Sequence, residues 1–309
     1  MKVTANGLEF EVEINEPTHA NADIEITRHT PTVLLIMGLG MQLVAWPIAF
    51  VNALTRAGYR VVRLDNRDIG LSHKTGAPMP SLVWMALKYR VRLPIAAAYT
   101  LRDMVEDTRG VLDALNIARC HVIGVSMGGM IAQGLASHHP NRVASLTSLM
   151  STTGARGLPQ ATPKAAMALL SRPKSKKRDD IINHFTRVLG IIGSPRFPMP
   201  EADVRQRIGE AFDRSFYPAG TIKQMAAIMA SGDRSDEVGR ITVPTLVIHG
   251  RDDPLVPLKN GEDTAKKIPG SEYTVIDGMG HDLGALAEVT ARVLPFLQQY
   301  TPPKVSSTL

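Results

Sequence analysis

The segment GVSMGG, residues 124–129, contains a serine with glycines on both sides. Glycine weakens a strand or helix that contains it, so three glycines here indicate an unusual backbone. Gly124-x-Ser126-x-Gly128 between a predicted strand and a predicted helix is the pattern of a nucleophile elbow, a turn so tight that side chains two residues from the serine would collide. The pattern predicts Ser126 as a nucleophile and Gly124 and Gly128 as the elbow glycines, with Gly129 allowing close helix packing.

A serine nucleophile needs a base that accepts its proton. Of the nine histidines, His281 in DGMGHDL follows the last predicted strand, in a glycine-rich loop before the final helix. Ligand sites of wound α/β sheets lie beyond the carboxyl ends of the strands, which favours His281 as the general base. His249 ends another strand and is the rival. Because it directly precedes an acidic loop, we expect it to be a structural neighbour.

The base in turn needs an acid that fixes its tautomer. The loop HGRDDPLVP follows the strand TLVIHG and offers Asp252 and Asp253, whereas residues 146–161, after the preceding core strand, contain no carboxylate. We predict Asp253, because the chain needs a residue or two after Gly250 before it turns back toward the histidine. Asp252 is the alternative, and its other role would be to cap the turn.

An attacked carbonyl becomes an oxyanion, which two backbone N–H groups usually hold. The residue after the nucleophile, Met127, would supply one of them. The loop MGLG, residues 37–40, would supply the other from Leu39, because the flanking glycines leave its backbone free to turn inward.

The surrounding elements alternate between strand and helix. Segments 8–14 and 23–27 predict a β-hairpin at the start of the chain, with one face exposed to solvent. Buried strands are predicted at 32–37 and 59–65, further strands at 120–125, 143–151, 245–250 and 273–277, and helices near 44–57, 101–117, 127–138, 259–268 and 283–299. This order predicts an α/β fold with a mostly parallel, doubly wound sheet covered on both faces.

Residues 153–240 break that alternation. They are helical in composition and contain no strand-like run, so they predict a helical cap inserted into a core made of residues 1–152 and 241–300. Residues 301–309 predict a flexible tail. A smaller apolar insert occupies residues 79–99.

The composition narrows the class of protein. Of 309 residues 44% are hydrophobic and 21% charged, the net charge is +6, and a single cysteine, Cys120, rules out an intrachain disulfide. With no apolar leader at the start, a cytoplasmic location is expected.

The uncharged stretch 30–55 is interrupted by glycine and proline and predicts strand, turn and helix, not a membrane span. The basic run 172–178 lacks interleaved aromatics and predicts a solvated face, not a nucleic-acid site.

GVSMGG, HGRDDPLVP, DGMGH and DNRDIGLS (65–72) together resemble the α/β-hydrolase fold superfamily over about residues 30–300. The resemblance implies an eight-stranded sheet and the order Ser126, Asp253, His281. LIMGLGMQLVAWP and DNRDIGLS are similar to capped esterases that include the anthracycline methylesterase type. Many relatives carry His-Gly where Met37 and Gly38 stand, and backbone donors are indifferent to that side chain. By analogy, DNRDIGLS is a structural loop in which Arg67 and Asp68 form local pairs.

These residues predict a serine hydrolase of carboxylic esters that works through an acyl-enzyme on a small to medium apolar substrate, with no cofactor and no metal. C–C bond, thioester or lactone hydrolysis and perhydrolysis on the same triad are alternatives. Epoxide hydrolysis and dehalogenation are disfavoured, because relatives with that chemistry carry aspartate at the elbow. A slow-turnover ligand receptor on the same scaffold is the alternative from another class. The expected partner is a small-molecule ester, and a homodimer is left open.

Overall fold

A computed structural model describes residues 1–18, 30–91 and 93–301, with only the backbone described at residues 83, 86, 89 and 90. The predicted strand 23–27 and nearly all of the predicted tail lie outside the described residues. The strands are β1 Lys2–Ala5, β2 Leu8–Asn15, β3 Thr32–Ile36, β4 Arg60–Leu64, β5 Cys120–Val125, β6 Val143–Leu149, β7 Thr245–Gly250 and β8 Glu272–Ile276. The helices are α1 Ile48–Arg56, α2 Leu82–Arg90, α3 Leu101–Ala114, α4 Met127–His138, α5 Pro163–Leu170, α6 Arg178–Ile192, α7 Glu201–Arg214, α8 Pro218–Ser231, α9 Ser235–Val238, α10 Lys259–Lys267 and α11 Leu286–Gln299.

All eight strands form one sheet in the order β1-β2-β4-β3-β5-β6-β7-β8. β1 and β2 pair antiparallel, as do β2 and β4, and every other neighbouring pair is parallel. The prediction of a mostly parallel, eight-stranded sheet is therefore confirmed. Because β3, β5, β7 and β8 are parallel, the loops that follow them leave the same edge of the sheet.

The partner of β2 in the opening hairpin is β1, which the sequence analysis did not predict. Lys2 pairs with Glu11 and Ala5 with Leu8. Asn6 and Gly7 join the strands with φ of 50° and 72°, as in the tight hairpin turns that favour Asn-Gly. The four residues of β1 are too short to show a clear alternation, so the Asn-Gly pair was the only local signal.

Two apolar cores cover the two faces of the sheet. Side chains of β3 alternate between them: Leu34 and Ile36 point to the core under α3 and α4, whereas Val33 and Leu35 point to the core under α1 and α11. Burial on both faces explains why the sequence of β3 is almost entirely apolar.

Five helices, α5 to α9, occupy residues 163–238 between β6 and β7. All residues from 150 to 244 are described and none of them forms a strand. The uncharged stretch that begins at Thr30 folds into β3, a glycine-bearing loop and α1. In the described residues, no helix is both long enough and apolar enough to cross a bilayer.

His121 on β5 makes folding stability depend on pH. Its ring contacts the hydroxyls of Ser145 at 2.8 Å and Thr301 at 3.0 Å, and burial lowers its pKa to about 4. Below the unfolded pKa of about 6.5, the unfolded chain takes up a proton that the folded chain refuses, so stability falls until the folded pKa is reached. Between pH 7 and about pH 4.5, urea unfolding should show a loss about 2–3 kcal/mol larger for the native chain than for His121→Gln. Equal losses would contradict this assignment.

Candidate active site

Ser126 lies at a strained turn between β5 and α4. Its φ of 54° and ψ of −118° fall outside the regions that non-glycine residues usually occupy. A Cβ on Gly124 would stand 2.2 Å from the carbonyl oxygen of Gly128, which is a clash. A Cβ on Gly128 would likewise stand 2.1 Å from the carbonyl oxygen of Ile36. At Gly129 a Cβ would stand 2.6 Å from that of Ser151, so α4 packs closely there. The turn lifts the half-buried serine to the carboxyl edge of the sheet.

Gly124→Ala tests the tightness of this turn. The new methyl group would overlap the backbone of Gly128 and Gly129 at the start of α4, which is not a flexible side chain that could move aside, so we expect the free energy of unfolding to fall by about 3 kcal/mol or more. Gly190→Ala is the matched control, because Gly190 lies within α6 with no neighbouring atom within 4 Å of the added Cβ. The control should be neutral or up to about 1 kcal/mol more stable. Equal urea midpoints for the two variants would contradict the clash.

Three distant side chains meet at this edge in a hydrogen-bonded chain. His281 Nε2 lies 3.0 Å from Ser126 Oγ, and His281 Nδ1 lies 2.7 Å from Asp253 Oδ2. The Asp253 side chain is fully buried and that of His281 nearly so, whereas Ser126 is partly exposed. With Asp253 accepting from Nδ1–H, the Nε2 lone pair points at the serine hydroxyl, the arrangement that a general base requires.

The acid loop distinguishes the two aspartates. Asp253 Oδ1 accepts from the N–H groups of Leu255 at 2.9 Å and Val256 at 2.8 Å, which leaves Oδ2 for His281. Asp252 is exposed and accepts instead from the Gly278 N–H at 2.8 Å. Of the two candidates, only Asp253 hydrogen-bonds to the histidine.

His249, the rival base, stands beside the acid and not beside the serine. Its Nε2 donates to the Val256 carbonyl at 2.7 Å and lies 3.7 Å from Asp253 Oδ2. Burial lowers its pKa and favours the neutral ring. A neutral ring that donates to Val256 braces the turn that holds Asp253, so the geometry fits the structural neighbour that we predicted.

Two free backbone N–H groups border Ser126. Gly38 packs against the serine, where an added Cβ would stand 3.3 Å from that of Ser126, and Leu39 follows Gly38 directly. Within the described chain, neither the Leu39 N–H nor the Met127 N–H donates a hydrogen bond to protein. Buried N–H groups are rarely left without an acceptor. These two are therefore available to an anionic oxygen of a ligand.

The loop that carries Leu39 is held by helices far away in sequence. Gln224 on α8 is fully buried; its Oε1 accepts from the Gly40 N–H at 2.9 Å and its Nε2 donates to the Arg67 carbonyl at 2.8 Å. The Gln42 amide donates to carbonyls at the end of α7 at 2.6 and 2.8 Å. Sequence reasoning missed both glutamines, because nothing local marks a contact that spans more than 150 residues.

The loop that carries His281 is held in the same way by the end of α6. The His281 N–H donates to the Ile192 carbonyl at 2.7 Å, and the Gly280 N–H donates to Ser194 Oγ at 2.9 Å. The Ser194 N–H and hydroxyl both donate to the carboxylate of Asp282. The inserted helices thus contact both loops that flank the serine.

The side chains of the segment DNRDIGLS form contacts with residues that are distant in the sequence. Arg67 was predicted to pair locally, and this prediction is wrong. It forms a buried ion pair with Asp107 on α3 at 2.5 Å. Burial raises the pKa of Asp107, which Arg67 opposes. Asp68 does hydrogen-bond within its own loop, accepting from the N–H and hydroxyl of Thr75 at 2.7 Å, but its ion pair is with Lys223 on α8 at 3.7 Å. A buried guanidinium needs a close carboxylate, and for Arg67 the Asp107 side chain on α3 meets that need.

Other reactive groups in the described residues stand apart from this edge. Cys120 is buried at the opposite end of β5, and burial raises the pKa of its thiol to about 12. Among residues 1–18, 30–91 and 93–301, no three His, Cys, Asp or Glu side chains cluster as a metal site would need.

Comparisons with known proteins agree with this architecture. Rhodomycin D methylesterase DnrP of Streptomyces peucetius is 25% identical over 271 residues, covering 81% of this chain and 85% of its own. A 2-hydroxy-6-oxononadienedioate/2-hydroxy-6-oxononatrienedioate hydrolase of Cupriavidus pinatubonensis is 27% identical over 277 residues, covering 88% of this chain and 85% of its own. The crystal structure of the enol-lactonase from Burkholderia xenovorans LB400 superposes with a TM-score of 0.70 at 24% identity, covering 96% of this chain and all of the other.

These similarities confirm the resemblance to the α/β-hydrolase superfamily with methylesterase-like relatives. The characteristic sequence profile of the alpha/beta hydrolase fold matches residues 31–285, which is most of the chain. The chain therefore belongs to the α/β-hydrolase fold family.

Proposed function

We propose that this chain is a serine hydrolase that cleaves carboxylic esters through an acyl-enzyme. The observation that carries the proposal is the unbroken hydrogen-bonded chain from Asp253 through His281 to Ser126, with distances of 2.7 and 3.0 Å. A carboxylate, an imidazole and a hydroxyl in this order are suited to acyl transfer.

The first half-reaction forms the acyl-enzyme. Ser126 Oγ attacks the ester carbonyl while His281 Nε2 takes its proton, and Asp253 stabilises the imidazolium that results. The carbonyl electron pair moves onto oxygen, where the N–H groups of Leu39 and Met127 would hold it. When the tetrahedral intermediate collapses, the carbon–oxygen bond to the alcohol breaks and His281 returns the proton to the departing alkoxide.

The second half-reaction repeats these steps with water. His281 takes a proton from a water molecule whose oxygen attacks the acyl carbon, and the bond to Ser126 Oγ then breaks. The carboxylic acid leaves and the serine recovers its proton. Ser126, His281 and the attacking water account for every proton that the cycle moves, so the mechanism requires no cofactor.

We further propose that α5 to α9 form a cap within residues 153–240 over a core of residues 1–152 and 241–300, and that the substrate is small to medium in size and apolar. The contacts of α6 and α8 with the loops of His281 and Leu39 support the cap. The insert 79–99 gives the apolar substrate little support: among the side chains of α2 that the structure describes, only Met85 is buried, while Trp84 and Leu87 face solvent.

Lactone and C–C bond hydrolysis are the second candidates, because an enol-lactonase and a 2-hydroxy-6-oxononadienedioate/2-hydroxy-6-oxononatrienedioate hydrolase are similar to this chain, and both reactions could use the same triad. A panel of acyl esters, thioesters, lactones and vinylogous diketones, assayed with the purified full chain, separates the candidates. The proposal predicts the highest kcat/KM on an ester. A preference for another substrate class would move the assignment within the family, and tight ligand binding with negligible turnover on every substrate would favour a receptor.

A further inference from the structure

The helix α2 has apolar residues on both of its faces, although only one face is packed. Met85 is buried on the inner side, where α2 contacts α8. On the outer side Trp84 is 63% exposed, Leu87 46% and Val91 53%, with a spacing of three and four residues that aligns them on one face. Met79 and Leu93 extend the exposed apolar surface on either side. A contiguous apolar surface of this kind marks an interaction site.

The charge around this surface has one sign. No aspartate or glutamate occurs between Asp68 and Asp103, whereas Lys88, Arg90 and Arg92 fall within five residues of one another in the sequence. The nearest carboxylate after them is Asp103, which caps the start of α3 through Thr100. Lys88 makes no ion pair within the described part of the chain. This stretch of the sequence therefore has no carboxylate of its own to neutralise its cations.

We propose that this outer face of α2 seats the chain on an anionic membrane surface. A tryptophan and aliphatic side chains on one face of a helix insert at the headgroup level of a bilayer, and neighbouring lysine and arginine attract anionic lipid headgroups. The helix lies on the bilayer and does not cross it. No catalytic residue takes part, so the inference goes beyond the proposed function.

Two other occupants fit the surface less well. A two-fold dimer through this face would bring the cations of both copies together across its axis, and like charges at an interface oppose association. A nucleic acid would satisfy the cations but not the aliphatic side chains, because its interfaces with protein are polar. An anionic bilayer satisfies the charges and the apolar side chains together.

The location of α2 places the bilayer near the candidate active site. The inner face of α2 contacts α8, and α8 in turn holds the loop of Leu39 through Gln224. The docking face is therefore one helix away from the elements that border Ser126.

Vesicle sedimentation tests the inference with the full-length Ser126→Ala protein, so that binding is measured apart from turnover. The protein should sediment with mixed phosphatidylserine–phosphatidylcholine vesicles, more weakly at high salt, and far less with pure phosphatidylcholine. The triple variant Lys88→Gln, Arg90→Gln, Arg92→Gln should bind about fivefold more weakly for each charge removed. The double variant Trp84→Ser, Leu87→Ser should lose at least about tenfold.

Matched controls change the same chemistry elsewhere. One removes three charges from the other basic run, Lys174→Gln, Lys176→Gln and Lys177→Gln, and one replaces exposed apolar residues of α5, Met167→Ser and Leu170→Ser. Both controls should stay within about twofold of the parent, since bilayer attraction is local to the docked face. Equal losses in the controls and the α2 variants would overturn the proposal.

Intrinsic fluorescence gives an independent readout. The chain has two tryptophans and Trp46 is buried, so a blue shift on adding vesicles reports on Trp84 and should vanish in Trp84→Phe. Three results would overturn the proposal: no binding to anionic vesicles, binding to a single-stranded RNA in place of vesicles, or a monomer–dimer equilibrium that the Trp84→Ser, Leu87→Ser variant abolishes.

Discussion

Ser126→Ala should lower kcat on an ester substrate by about 10⁴-fold or more, which is a loss of about 5 kcal/mol or more of transition-state stabilisation. The substitution removes the only atom of residue 126 that contacts His281 Nε2, at 3.0 Å. Without it no acyl-enzyme forms, and the remaining catalysis would come from water held near the free N–H groups of Leu39 and Met127. Steady-state kinetics on the best substrate of the panel measures the effect.

The fold should survive this change. Alanine at residue 126 meets the same backbone strain as serine, so the urea midpoint should move by less than about 1 kcal/mol equivalent. KM should change little, since the hydroxyl acts on the reacting carbon. Near-native turnover in a folded Ser126→Ala protein would end the serine mechanism.

Asp253→Asn should lower kcat by about 10⁴-fold, for a reason that the local hydrogen bonds make specific. Oδ1 of Asp253 accepts from two backbone N–H groups, those of Leu255 and Val256. An asparagine must place its carbonyl oxygen there, so its NH₂ group faces His281 Nδ1. The imidazole then carries its proton on Nε2, facing Ser126, and can no longer accept the serine proton.

Asp252→Asn is the matched control one residue away. Asp252 is exposed and accepts from the Gly278 N–H, so the amide oxygen of asparagine can take over the same bond. Its kcat should stay within about threefold of the native value, as is usual for a surface substitution. If Asp252→Asn proved the more damaging of the pair, the choice between the two aspartates would be reversed.

The residues that form the site were predictable because their signals are local. The elbow needs glycines at fixed spacing around Ser126, and the ends of parallel strands place His281 and Asp253 at one edge. β5 and β7 occupy the predicted residues, since continuous apolar runs bounded by turn residues mark strands buried on both faces.

What holds the site in place was not predictable, because it depends on contacts between distant segments. Gln224 and Gln42 read as ordinary polar residues, yet both fix the loop that carries Leu39. Ser194, near the end of α6, likewise fixes the loop of His281. A single sequence carries no signal for pairs whose geometry appears only after the inserted helices pack.

Ion pairing shows the same limit. The motif DNRDIGLS suggested local pairs, but the Arg67 guanidinium reaches Asp107 on α3 and the Asp68 carboxylate pairs with Lys223 on α8. A buried charge needs a close partner of opposite charge. The sequence alone does not show which residue is that partner. The outward face of α2 is a further example, because an apolar insert reads as buried until the packing of its neighbours is known.

Covalent labelling reveals whether His281 activates the hydroxyl of Ser126. Protein treated with a fluorophosphonate and digested for mass spectrometry should carry one adduct, on the peptide that contains Ser126. Labelling should be rapid in the native chain, slower by about 10³-fold or more in His281→Ala, and absent in Ser126→Ala. An unlabelled Ser126 in folded native protein, or labelling that proceeds equally well without the imidazole, would contradict the account.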